Sequence, residues 1–302
     1  MRAKILSVLV GTTALMALAA PAHAIRGGAP DGAEHPIVGQ MFFFDPTAVD
    51  SRFSTPGSWS SCTGTLVSSA VVVTAGHCTY GTGSNGAPTA SGAGGNDVWI
   101  SFAEAPDFSV LPRSSTFAPN NNAGRYAAFT AALNASGSWI RATAHPHPQY
   151  TPAQFFNHDL GVLQLSTPVE RPRYAELPEA GQLSRLYAED KQQPYTAVGY
   201  GLEISGPKTA TGGNTRRQAD LRLVNLNGVG GIGNGIAAQF SNNAATGGTC
   251  YGDSGGPVFV ADSYTLVAVT SFAMNPACAG VTGGYRVDQA DDLSFLAGFA
   301  AE

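Results

Sequence analysis

Gly252-Asp253-Ser254-Gly255-Gly256-Pro257 stands immediately before a β-branched and aromatic run, Val258-Phe259-Val260. A nucleophilic serine needs a tight turn that exposes its hydroxyl, and flanking glycines permit both that turn and close approach of a substrate. Upstream, Thr74-Ala75-Gly76-His77-Cys78 ends a second such run, Val71-Val72-Val73, and puts an imidazole at the start of a loop. Between them, His158-Asp159-Leu160 opens a third run with a carboxylate. Serine, histidine and aspartate are the set that acyl transfer requires. The imidazole takes the serine proton, and the carboxylate fixes its tautomer and stabilises the imidazolium. Singly, each has a plain structural reading as a Gly-Pro turn, a strand-end histidine or a strand-start carboxylate. The weight lies in their occurrence in one chain, each in a matching context.

Around these landmarks the chain reads as short strands. Val98–Phe102, Leu160–Leu165, Tyr195–Val198, Leu221–Val224 and Thr265–Val269 are rich in β-branched or aromatic residues and bounded by turn formers, as are the runs already quoted. Many short strands of this kind imply sandwiches or barrels. Helix is expected mainly in the tail. There Asp288, Asp291 and Asp292 precede Leu293, Leu296 and Phe299, acidic residues before an apolar spacing of three. Gly81–Asn96, Pro119–Ser138 and Asn227–Thr249 have loop composition and read as surface insertions. Thr167–Gln182, with three prolines among charges, reads as the connection between two halves.

Composition bounds the function. Glycine is 37 of 302 residues, above the average of about 7% but without the period of collagen, which indicates a turn-dense fold. The formal charge is −5, and lysine occurs only at positions 4, 191 and 208, so no basic stripe exists to bind nucleic acid. Residues 1–24 combine Arg2 and Lys4, an apolar stretch from Ile5 to Ala20, and an Ala22-His23-Ala24 exit. That pattern predicts a secretory signal peptide, too short to span a bilayer as an anchor. Its removal takes the charge from −5 to −7, since Arg2 and Lys4 leave and no acid does. The expected product is secreted, extracellular or periplasmic, without a membrane anchor, and its four cysteines are free to pair. Four cysteines allow three pairings.

These stretches resemble the chymotrypsin-like (trypsin-fold) serine proteases. Ile25-Arg26-Gly27-Gly28 is similar to the mature N-terminus of that family. Cys62-Thr63-Gly64-Thr65-Leu66-Val67 through Cys78 resembles the approach to its histidine. His145-Pro146, Tyr150 and His158–Leu165 resemble its aspartate segment, and Gly199-Tyr200-Gly201 with Gly252–Pro257 its second-half landmarks. The order His, Asp, Ser also differs from that of α/β-hydrolases. The resemblance implies an all-β fold of two antiparallel six-stranded β-barrels with the active site between them and a short C-terminal helix. The first barrel is expected at about 37–166, the second at about 183–287 and the helix at about 288–300. His77 and Asp159 would come from the first barrel and Ser254 from the second.

The resemblance also assigns roles. Ser254 is nucleophile, His77 general base and acid, and Asp159 the orienting carboxylate, with the N–H groups of Gly252 and Ser254 as oxyanion hole. It selects the disulfides Cys62–Cys78 and Cys250–Cys278. It puts Gly248 and Thr249 at the base of the primary specificity pocket, with walls from Ser271, Phe272, Ala273, Gly283 and Gly284. No carboxylate stands there, so cleavage after apolar residues is expected rather than after Arg or Lys. It pairs a new Ile25 ammonium with Asp253, and since signal cleavage after Ala24 would itself expose Ile25, no separate zymogen step is expected. The expected partners are protein or peptide substrates and proteinaceous inhibitors, and no cofactor or metal is expected. His145, His147 and His158 are read as solvated, proline-flanked loop histidines, not ligands. Asp97 is a rival carboxylate that lacks the strand following Asp159. The second reading is a catalytically silent homologue that binds without cleaving; a third is an esterase on the same fold.

Overall fold

Val71-Val72-Val73-Thr74 is buried at every position, as a strand must be when one face meets a barrel interior and the other is covered. The computed structural model describes residues 25–299 apart from 91, 206–209, 228–234 and 244, so the signal-peptide reading lies outside the described residues. Among the described residues, twelve strands close into two antiparallel barrels. The first comprises β1 (Val38–Asp45), β2 (Ser58–Leu66), β3 (Val71–Thr74), β4 (Val98–Ser101), β5 (Ile140–Pro146) and β6 (Gly161–Leu165). The second comprises β7 (Pro194–Gly199), β8 (Arg217–Asn225), β9 (Ala237–Asn242), β10 (Pro257–Val260), β11 (Leu266–Ala273) and β12 (Gly280–Arg286). The first closes in the order β1-β2-β3-β6-β5-β4 and the second as β7-β8-β9-β12-β11-β10. The two halves therefore share one topology.

One apolar core fills the first barrel and runs on through Val198, Tyr200, Phe259 and Val269 into the junction of the barrels. A second fills the other barrel and takes in Ile25. The N-terminal segment is clamped by Arg216, whose guanidinium donates to Asp31 at 2.7 Å and to the carbonyls of Val38 and Phe102.

Four α-helices are present among the described residues: α1 (Gly76–Thr79), α2 (Asn122–Ala135), α3 (Gln182–Glu189) and α4 (Ala290–Ala297). The tail helix is shorter than the expected 288–300. Asp288 stands before it and binds Arg286 at 2.8 Å. The reading of 119–138 as a loop is corrected by α2. Asn121 caps it by accepting from Gly124 N, and its buried Arg125, Phe129 and Leu133 turn inward. Arg125 meets Asp50 at 2.7 Å, and Leu133 covers an aromatic layer with Trp99 and Trp139. The insertion 81–96 is folded down onto buried Asp97, which accepts from Asn85 N, Gly86 N and Tyr126 Oη. The stretch 227–249 is not a loop throughout either, because it supplies β9 to the second barrel.

Candidate active site

His77 rides on the single turn α1, directly after β3. Asp159 precedes β6, which pairs with β3, so strand register brings the two together across 82 positions of sequence. The carboxylate is fully buried and does two things at once. It accepts the backbone N–H of His77 at 2.8 Å, anchoring the turn, and faces His77 Nδ1 at 3.0 and 3.1 Å, orienting the ring. Ser271 Oγ donates to its other side at 2.5 Å. Burial alone would lower the imidazole pKa, but the charge and hydrogen bond of Asp159 outweigh it and hold His77 above the ordinary 6.5. With Nδ1 engaged, Nε2 is the nitrogen left for a proton transfer.

Ser254 sits on the turn before β10 and shares a cleft of about 320 Å³ with His77. Gly252 and Gly255 have φ of +98° and +77°, the left-handed region where glycine is at home. At Gly255 a Cβ would also overlap Thr74 Oγ1 and the Thr63 carbonyl, so the Ser254 turn is pressed onto the first barrel. The N–H groups of Gly252 and Ser254 make no hydrogen bond among the described residues. The disulfides Cys62–Cys78 and Cys250–Cys278 are both formed, one beside the histidine and one beside the serine. Closing the 16-residue separation of the first is worth about 3 kcal/mol in the chain-entropy model.

The pocket residues expected from sequence are only partly gathered. Thr249, Ser271, Phe272 and Ala273 line the cleft, joined by Thr282. Gly248 instead lies against the Asn242 side chain and donates its N–H to Arg26 O. Gly283 lies under the Phe272 ring. Thr249 and Thr282, both in the cleft lining, share a 2.5 Å hydroxyl–hydroxyl bond. Asp97 stands apart in its own cluster. Asp253 is fully buried and accepts from Cys250 N and Gly201 N, both at 2.7 Å. Burial outweighs those donors and raises its pKa to about 7. Ile25 is buried in the second core, and among the described residues no hydrogen bond or ion pair joins it to Asp253. Arg26 is accommodated half-buried, its guanidinium donating to Cys278 O.

Sequence reasoning missed two residues. Ser271 was expected only as pocket wall, yet it also holds Asp159. Thr63 was not singled out at all. Its N–H donates to Ser254 O at 2.8 Å, and its hydroxyl donates to Gly252 O at 3.0 Å while accepting from Tyr200 N. A first-barrel threonine thus holds the carbonyls of Gly252 and Ser254, and nothing in Cys62-Thr63-Gly64 signals it. Thr63→Val keeps the shape and strands a buried donor and acceptor, at about 1–3 kcal/mol each. We expect kcat to fall about tenfold with KM little changed, and Thr63→Ser to restore it; steady-state kinetics on a peptide substrate would decide.

A family model for trypsin matches residues 132–290, more than half the chain. The chain belongs to the trypsin family of serine proteases. The matched stretch contains Asp159 and Ser254, and His77 lies upstream of it. Among curated relatives of the family, the CLIP domain-containing serine protease B14 of Anopheles gambiae is 29% identical over 157 residues, 46% of this chain and 42% of that protein. The chain therefore spans well under half the length of this relative. Trypsin-fold structures cover 92% of the chain. HL collagenase has a TM-score of 0.61 at 15% identity over 99% of its own chain. The scabies mite inactivated protease paralogue S-D1 has 0.59 at 16% over 98%. At these identities the likeness is one of fold.

Proposed function

We propose that this trypsin-family protein is an exported serine endopeptidase that works through an acyl-enzyme. Ser254 Oγ attacks the scissile carbonyl as His77 Nε2 takes its proton. The developing oxyanion is received by the N–H groups of Gly252 and Ser254. His77 then protonates the leaving amine, and water repeats the sequence to release the acid. The observation that carries this reading is the clamp on Asp159 by His77 and Ser271, beside the cleft that Ser254 shares. It is the arrangement that selects the productive imidazole tautomer. Export is supported by the leader-like residues 1–24 and by two disulfides. No helix among the described residues is long and apolar enough to cross a membrane.

A fluorophosphonate probe is expected to label the folded chain beginning at Ile25 and to leave Ser254→Ala unlabelled. Absence of labelling in correctly folded, processed protein would favour the silent binding module, a reading kept alive by the inactivated paralogue among the fold neighbours. Labelling without peptide cleavage would favour the esterase.

For specificity, the cleft beside Ser254 is lined by the hydroxyls of Thr249 and Thr282 and, among the described residues, by no carboxylate. Burying a Lys or Arg head there would leave its charge without a partner, at several kcal/mol. Cleavage after medium or large apolar residues is therefore expected. Profiling against a proteome-derived peptide library checks this, and a preference for Arg or Lys would sink it.

A further inference from the structure

His147, His158 and Asp292 come from the turn after β5, the residue before Asp159 and the first turn of α4. The expectation that these histidines are solvated is overturned for His147, which is only 4% exposed and stacks on His158 with ring centroids 4.6 Å apart. His145, the third of that group, packs on Phe299. His147 Nε2 lies 3.7 Å from Asp292 Oδ1, and His158 Nδ1 lies 3.8 Å from the same oxygen. All three donor atoms fall within 4.8 Å of one another. These separations are too long for hydrogen bonds. Among the described residues, Asp292 Oδ1 and His158 Nδ1 accordingly have no hydrogen-bond partner; both atoms are buried, and Asp292 is wholly so. Native proteins rarely leave such atoms unmatched.

A tetrahedral zinc ion with bonds of about 2.0–2.1 Å holds its ligand atoms about 3.4 Å apart, a few tenths of an ångström tighter than the two histidine–Asp292 separations, and in-plane coordination by both imidazoles turns the rings out of their stack. We propose that His147, His158 and Asp292 form a binding site for one divalent transition-metal ion of the zinc class. Two imidazoles and one carboxylate suit zinc or cobalt, whereas calcium and magnesium demand oxygen. The other Asp292 oxygen accepts the Tyr285 hydroxyl at 2.7 Å, which orients the carboxylate as an outer-shell partner should. Asp291 Oδ2, 3.7 Å from His158 Nδ1 and half-exposed, stands at the open side, where it or water completes the fourth position. In the metal-free chain Gln149 N donates to His147 Nδ1, so the ring proton sits on Nε2. Coordination moves that proton to Nδ1, and the N–H of exposed Gln149 turns to water. The site gathers residues remote in sequence, so the unfolded chain lacks it and metal binding stabilises the fold.

Cobalt(II) titration of the folded protein tests this independently of catalysis. The expected result is one equivalent of visible d–d absorption with four-coordinate intensity, displaced by zinc, together with a rise in Tm on zinc but not magnesium addition. His77→Ala should keep the signal. His147→Ala and Asp292→Asn should weaken binding at least about tenfold, the latter preserving volume and the acceptor for Tyr285. Absence of the bands and of the Tm rise in the wild type would overturn the proposal. So would a signal lost in His77→Ala yet kept in His147→Ala, which would put the ion on the catalytic imidazole.

Discussion

Asp159→Asn is expected to lower kcat about 10⁴-fold near neutral pH with little change in KM or fold. The His77 backbone N–H can only donate, so it fixes the amide oxygen of the new side chain at the Oδ1 position. The amide nitrogen then occupies the other position, facing Ser271 Oγ and His77 Nδ1. Ser271 can turn its hydroxyl and accept. His77 Nδ1 must become an acceptor, which places the ring proton on Nε2, where the serine proton has to go. The base is present but loaded on the wrong nitrogen. A second signature follows from electrostatics. In the wild type the carboxylate overcomes burial and raises the His77 pKa, so the acid limb of kcat/KM should lie above the ordinary imidazole value. Without that charge burial prevails, and the limb should move below it. Unaltered kcat, or an acid limb that stays put in the variant, would show that Asp159 does not orient the base.

The residues of this argument were legible because their constraints are local. A glycine-flanked serine before a strand, and a histidine after one, are visible in a few positions each. The barrels were legible where strands are β-branched runs, as in Val71–Thr74 and in Thr265–Val269, which overlaps the strand Leu266–Ala273. They were opaque where a strand borrows its bulk from a neighbour. β12 reads Gly-Val-Thr-Gly-Gly-Tyr-Arg, and the missing side chains at Gly283 and Gly284 are replaced by the rings of Phe272 and Phe240 lying over them. No window on 280–286 alone contains those rings. Helix α2 was hidden differently. Its alanines and single Gly124 dilute the apolar face, although Asn121 as cap and Tyr126, Phe129 and Leu133 at spacings of three and four carry the signal. The shared strand order of the two halves left no repeat in the sequence, because topology constrains which faces are apolar, not which residues make them so. The contacts of Thr63, Ser271 and Asp292 are products of closure between separate elements of the fold, and only the folded chain contains them.

The other large effect is expected at the N-terminus: retaining one residue before Ile25 should lower kcat/KM about 10²–10³-fold, the scale of losing an oxyanion-hole donor. Asp253 lies between Gly252 and Ser254, whose N–H groups are the proposed oxyanion hole, and near the Cys250–Cys278 bridge, and it is buried with backbone donors but no cation partner among the described residues. Its carboxyl is raised to about 7 against an ordinary 3.8. In the extended chain the native state therefore favours the protonated form. The stabilising contribution is complete below pH ~4 and is lost as pH rises through about 7. At roughly 1.4 kcal/mol per pKa unit, the loss is on the order of 4 kcal/mol. A free Ile25 ammonium would reverse the sign. Paired with it, Asp253 ionises in the fold, so its contribution persists above the ordinary carboxyl pKa and fails only when the amine deprotonates in alkali. Urea melts of the extended chain should thus show lower stability at pH 8 than at pH 5, and Asp253→Asn in that chain should remove most of the difference. The chain beginning at Ile25 should show neither the deficit nor the low activity. Full activity in protein whose sequenced N-terminus precedes Ile25 would rule the pairing out, as would an extended chain whose pH dependence is unchanged by Asp253→Asn.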